Sequence, residues 1–329
     1  MKNINLSIYC FLFLFCGFTM MAHAQKYHES KKVSQKNYDD DPYEEEYRMQ
    51  DITWKQKGFE IFFGAGIYFA NKKTATYYNG VPGNDINLNL LWNNEYYREN
   101  QLIPLLKRVY TYVDNIVIED NYTLDPQYNI AMDISLGAKY RFQKNWYLEL
   151  SYSFRRLTSE SRFNFIFPGV PEGNKENPPY SKNEGLVAKE DRHYIDFSIG
   201  YIFQQHPVAK PFISIGGQFT FVNLKSFLAI IEDQPFDLLA LARYPYYNGI
   251  DPVPNYRVWA GSGYGFSLTA GLKIAFNQSA SIDPFFQFSV ASFGNSANLP
   301  GFYTMPCFNY VVGIRLVMSD ALFSQSVKR

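Results

Sequence analysis

At 329 residues the chain suits one large domain or two small ones, and its 27 Tyr and 29 Phe, which bring aromatics to 18%, exceed what a water-soluble globule needs. Past the N-terminus no apolar run reaches the ~18 residues of a membrane-crossing helix, which argues against a helical membrane protein. With 31 basic and 31 acidic residues the formal charge is zero, so there is no electrostatic ground for a nucleic-acid partner.

In chain order, residues 1–24 read as an export signal. Lys2 supplies the positive start, residues 8–18 the apolar stretch, and Ala22-His23-Ala24 the small-x-small cleavage site before Gln25. An uncleaved anchor is the alternative; a lipoprotein reading of Cys16 is weakened by Phe15 before it, where a small residue belongs. After cleavage only Cys307 remains, which rules out an intramolecular disulfide or a thiolate metal cluster. Residues 25–57 form a polar lead-in carrying Asp39, Asp40, Asp41, Glu44, Glu45 and Glu46, too poor in apolar side chains to build a core. The acidic run lacks the Gly-containing spacing of a calcium loop, so a solvated, flexible periplasmic segment is expected.

From residue 59 the period becomes two and keeps returning. Phe59, Ile61, Phe63, Ala65, Ile67 and Phe69 alternate with Glu60, Gly64 and Gly66. Ile130, Met132, Ile134, Leu136, Ala138, Tyr140 and Phe142 alternate with Asp133, Ser135, Gly137, Lys139 and Arg141. A three-residue turn leads to Trp146, Leu148, Leu150, Tyr152 and Phe154, set against Tyr147, Glu149, Ser151, Ser153 and Arg155. Four segments continue the pattern: Ile195, Phe197 and Ile199 against Asp196; Ile213, Ile215 and Phe219 against Gln218; Phe266, Leu268 and Leu272 against Lys273; Phe286, Phe288 and Val290 against Asp283 and Gln287. The eighth sets Phe308, Tyr310, Val312, Ile314, Leu316 and Met318 against Asn309, Gly313 and Arg315.

Each segment has about the 9–11 residues that a tilted strand needs to cross a bilayer, and no apolar face carries a charge. The connections agree: long ones over roughly 71–128, 157–192, 223–262 and 293–307 alternate with turns of seven residues or fewer. An exported chain then has both termini in the periplasm and its long loops outside the cell. Phe59, Phe142, Trp146, Phe203 and Phe276 fall where an interfacial girdle needs them. The expected fold is all-β, an antiparallel up-and-down transmembrane barrel over residues 58–319, with a tail at 320–329. Eight strands are expected, or ten if 109–113 and 116–118 also cross; a soluble β-sandwich is the alternative, since alternation alone does not separate lipid from a protein core. The chain resembles the small eight-stranded outer-membrane barrels of the OmpA and OmpX type, through this architecture and its last strand, where Gly313, Leu316 and Met318 are similar to the signal read by the barrel-insertion machinery. It departs in having aliphatic late positions and a following tail.

Eight strands leave an interior that side chains fill. Glu60, Asp133, Glu149, Asp196 and Asp283 then face Lys139, Arg141, Arg155, Lys273 and Arg315, a balance that predicts a paired lumen network; ion or proton passage is the alternative. For catalysis the sole candidate is His193, near Asp191, with Ser159 and Ser161 across the neighbouring loop, and no spacing is diagnostic. No cofactor and no metal site is expected. The loops offer aromatic and apolar residues for binding: Tyr96, Tyr97, Tyr110 and Tyr112 in the first, and Phe227, Phe236, Tyr246 and Tyr247 in the third, either packed as a cap or presented to a partner. The expectation is a non-enzymatic barrel of the Gram-negative outer membrane, a surface-binding or structural component. Its expected partners are outer-membrane lipid, the insertion machinery during biogenesis, and an envelope protein met through the outer loops or the lead-in. A narrow channel or transporter, and a lipid-modifying enzyme, are the competing readings.

Overall fold

A strand that is apolar on one face and charged on the other must hide each face in a different medium, and a sheet closed into a ring supplies both. In the computed structural model, which describes residues 58–81, 86–109, 117–118, 126–166, 181–204, 209–243, 260–276, 279–294 and 307–319, the alternating segments form such a ring. These residues belong to the compact unit Ile52–Arg329. The export signal, the acidic lead-in and the C-terminal tail lie outside the described residues.

The strands are β1 (Gly58–Phe69), β2 (Val117–Ile118), β3 (Gln127–Tyr128), β4 (Ala131–Arg141), β5 (Trp146–Ile166), β6 (Ser181–Ile202), β7 (Ala209–Ile231), β8 (Gln234–Asp237), β9 (Ala260–Ala275), β10 (Ala280–Gly294) and β11 (Cys307–Ser319). Eight of them close the ring in the order β5, β4, β1, β11, β10, β9, β7, β6 and back to β5, every pairing antiparallel. First and last strands seal it from Glu60↔Ser319 to Phe69↔Tyr310. The short β2 and β3 only add to the far part of β5, and β8 to the end of β7, so the ring has eight members and not ten. Ile103–Val109 is helical, and residues 110–113 lie outside the described residues.

The outward wall is apolar and bare, with Leu150, Phe197 and Phe219 each more than half exposed. A contiguous surface of this kind is suited to lipid and not to water. Aromatic pairs edge it at both ends: Phe59–Tyr140 and Trp146–Tyr201 near the short turns, Phe288–Phe308 and Phe288–Tyr310 towards the long loops.

At the loop end the structure departs from the sequence reading. Strands β5, β6 and β7 do not stop near residues 156, 193 and 222 but run on to Ile166, from Ser181, and to Ile231. Their alternation inverts there. Below, apolar residues point out and polar ones in; above, Phe163, Leu186, Phe227 and Ala229 point in, while Arg156, Arg162 and Lys189 point out. A bulge shifts the β6–β7 register between Lys189 and Glu190, moving the inward parity of β7 from even to odd residues. Beyond the apolar wall the strands pack as a soluble sheet does. The buried face receives the first loop, whose short helices bring Tyr78, Leu88, Leu91, Leu102 and Leu106 against Phe227, Ile231 and Leu239 in one apolar cluster. The β7–β8 hairpin turns on Glu232 and Asp233, both at positive φ (47° and 61°), as a tight two-residue hairpin turn requires.

Leu150 lies midway between Trp146 and Phe154, near the middle of the lipid-facing wall. Leu150→Arg is expected to reduce folding stability in bilayers by about 2–4 kcal/mol, read from urea titrations of tryptophan fluorescence in vesicles.

Candidate functional site

Inward positions of a narrow barrel are too far from water for a charge to stand alone, so each ionic side chain on this face needs an opposite charge or a hydrogen-bonding partner. β1 contributes Glu60, gripped by Arg141 of the adjacent β4 and, at 2.7 Å, by Lys273 of β9. Lys139 of β4 reaches Asp283 of β10 at 3.1 Å and Glu149 of β5 at 3.8 Å. Arg315 of β11 meets Glu149 at 3.1 Å.

Three of these pairs, Lys273–Glu60, Lys139–Asp283 and Arg315–Glu149, join strands separated by two others in the ring. Around the wall that is roughly 14 Å at the usual strand spacing, so contacts near 3 Å run through the interior as chords. Aromatic rings fill the space between them. Lys139 Nζ lies 5.3 Å from the Phe62 ring centroid and 5.0 Å from that of Phe212, and the Arg315 guanidinium lies 4.3 Å from that of Phe285. Tyr147 completes the packing, and its ring occupies the space that a Cβ on Gly200 would need. Phe62, Phe212 and Phe285 escaped the sequence reading because they are apolar on the polar face; their parity with Glu60, Ser214 and Asp283 was the available signal.

Higher up, Arg155 donates to Asp133 at 2.5 Å and is held between the rings of Tyr68 and Tyr194, whose hydroxyls hydrogen-bond at 2.9 Å. Asp196 accepts from Gln218 Nε2 at 2.8 Å, so the tenth residue of the expected network is met by an amide. A further pair, absent from the sequence reading, closes the top. Arg192 donates from Nε to Glu190 at 2.6 Å, and its Nη2 donates to Tyr128 at 2.9 Å and Thr74 at 3.0 Å. The Tyr78 hydroxyl donates to the same Glu190. Burial, then the neighbouring Glu190 carboxylate, pushes the Tyr78 phenol well above its ordinary pKa, so it remains a donor. Three first-loop or loop-flanking residues are thereby tied to β6.

The remaining candidates separate by place. Phe227 and Phe236 are buried in the apolar cluster of the cap, the packed one of the two arrangements that the sequence left open. Tyr97 packs against that core, and Tyr96 is exposed. Tyr110, Tyr112, Tyr246 and Tyr247 lie outside the described residues. His193 lies within β6, on the outward face, where Nδ1 is 2.6 Å from the Tyr152 hydroxyl. Ser159 faces the interior, and Ser161 donates to the Tyr78 carbonyl at 3.0 Å. The serine–histidine arrangement considered from sequence is therefore not formed.

No protein-family model matches the chain, and no curated protein matches it. Several solved structures do. Neisserial surface protein A is 8% identical, with 80% of this chain and 98% of that one covered and a TM-score of 0.38. The outer-membrane protein OprG of Pseudomonas aeruginosa is 10% identical over 81% and 99%, with a TM-score of 0.36. The N-terminal β-barrel domain of OprF from the same organism is 11% identical over 80% and 100%, with a TM-score of 0.27. The fold of the present chain rests on its own ring of strand pairings.

Removing the carboxylate shared by Arg141 and Lys273 tests the network. Glu60→Ala is expected to cost about 3–5 kcal/mol, as breaking a buried ion pair does, measured by chemical denaturation in detergent; Glu60→Gln, which retains hydrogen bonding, is expected to cost less.

Proposed function

We propose that the protein is a non-enzymatic barrel of the bacterial outer membrane, closed along its lumen and serving as a structural or surface-binding component of the envelope. The observation that carries this reading is the set of three ion pairs stretched across the interior. A solute path along the axis would have to break the buried pairs Lys273–Glu60 and Lys139–Asp283, the second packed against the Phe62 and Phe212 rings, and then pass the apolar cap.

The connections support a sidedness. Short turns between β4 and β5, β6 and β7, and β9 and β10 lie at the end shared by the start of β1 and the end of β11, which supports periplasmic termini and an extracellular cap. Loops on a rigid scaffold are where binding resides, and the exposed Tyr96 beside Tyr97 is the described aromatic feature best placed for it. A lipid-modifying role draws no support from His193, whose polar neighbour is a tyrosine.

Reconstituted in planar bilayers at neutral pH, the protein is expected to give no steady unitary conductance; regular steps of one size would overturn the closed-lumen reading. Expression of His193→Ala beside the wild type is expected to leave membrane lipid composition the same in both strains, and a lipid change abolished by the substitution would restore the enzymatic reading.

A further inference from the structure

The outward face does not end in the same way around the ring. Towards the loop end, β9, β11 and the approach to β4 carry exposed Tyr264, Phe308 and Ile130. Along β5, β6 and β7 the wall passes instead from Tyr152, Phe154, His193 and Phe221 into charge. Arg156, Arg162, Lys189 and Lys225 point outward there, with Asp191 and Glu160 among them. Glu160 accepts from Asn129 at 2.7 Å.

Asp191 organises the ledge. It accepts from Arg156 Nε at 2.7 Å and Nη2 at 3.1 Å, and Lys225 Nζ stands 3.7 Å from its Oδ2. The Arg156 and Lys225 side chains remain 64% and 47% exposed, while that of Asp191 is 6% exposed, so the cations cover the carboxylate and present their charge outward. Asp191 engages two of the five guanidinium donors of Arg156. Arg156 is two residues beyond Phe154, or roughly 7 Å along the strand, which is the level of lipid headgroups where acyl chains meet the aromatic rim.

We infer that this ledge binds the phosphorylated headgroup of an outer-leaflet lipid, its acyl chains against Phe154 and Phe221 and its phosphate on Arg156, Lys189 and Lys225. The inference rests on the membrane reading proposed above. Continuity favours a lipid over a soluble anion, because the cations stand on the same face of the same three strands as the apolar wall and form its upper border. Among the described residues of the ledge, the excess of four cations over two carboxylates supplies the sign.

The test uses the mature protein folded in neutral-detergent micelles, with diphosphoryl lipid A as the probe and its dephosphorylated form as the comparison. Saturable binding of the phosphorylated lipid is expected, weakened about fivefold for each of Lys189→Gln and Lys225→Gln and falling with added salt, while Arg108→Gln in the cap leaves it unchanged. Heat-modified gel mobility verifies folding, and Lys225→Arg, which keeps the charge, should bind as the wild type does. Equal binding of the dephosphorylated lipid, or undiminished binding by the double Lys→Gln variant, would overturn the inference. Competition by millimolar inorganic phosphate would reassign the ledge to free anions. Failure of the wild type to fold into micelles or vesicles at all would instead overturn the membrane reading beneath it.

Discussion

The interior of this barrel is too narrow to hydrate a charge and too polar to be left empty, and that constraint decides most of what is built around it. Every inward ionic residue must reach an opposite charge or a hydrogen-bonding amide, and the reachable ones are often on the far wall. Phe62, Phe212 and Phe285 stand between these pairs as packing, excluding the water that would otherwise compete for them. The cost of such a design is steep sensitivity: one lost carboxylate disturbs two cations at once.

The same constraint explains how the cap is held. A loop as long as the first would lose much entropy on ordering against the barrel, and two interactions offset this. One is the apolar cluster shared with the emergent β6 and β7 and the helix at Leu238–Arg243. The other is the buried Arg192–Glu190 pair, which uses Tyr78, Tyr128 and Thr74 as its remaining partners. The first gives affinity without direction; the second fixes where the loop sits. Since Arg192 belongs to the ring and Tyr78 to the loop, the interior and the cap form one continuous polar and apolar structure.

Much of this was legible from sequence. The strands appeared as strict alternation, their order as alternating connection lengths, and the lumen charges as residues of one parity. The alternation failed beyond the apolar wall for a physical reason. Where the surrounding medium changes from lipid to water, the apolar side of a strand changes with it, so Phe163 and Leu186 break the pattern set by Phe154 and Ile195 although the backbone continues straight through. The bulge at Lys189 and Glu190 adds a second break in phase. Glu190 and Arg192, lying in a segment assigned to a loop, were invisible as lumen residues for the same reason. His193 misled in another way: Asp191 leaves the strand on the same outward face, but its carboxylate is taken by Arg156 and Lys225, while Ser159 faces the interior.

The three chords across the lumen also have a bearing on how the ring comes to exist. Lys273, Asp283 and Arg315 lie on β9, β10 and β11, and their cross-lumen partners lie on β1, β4 and β5. Neither half of the chain contains both ends of any of them. A sheet in which β1 has not met β11 carries ionic groups facing a space without their counterparts, and that pairing brings all three contacts within reach together. Closure is thus an electrostatic event as well as a backbone one, which makes a half-formed barrel a poor resting place and the completed ring the first state in which the charges of both halves are jointly at rest.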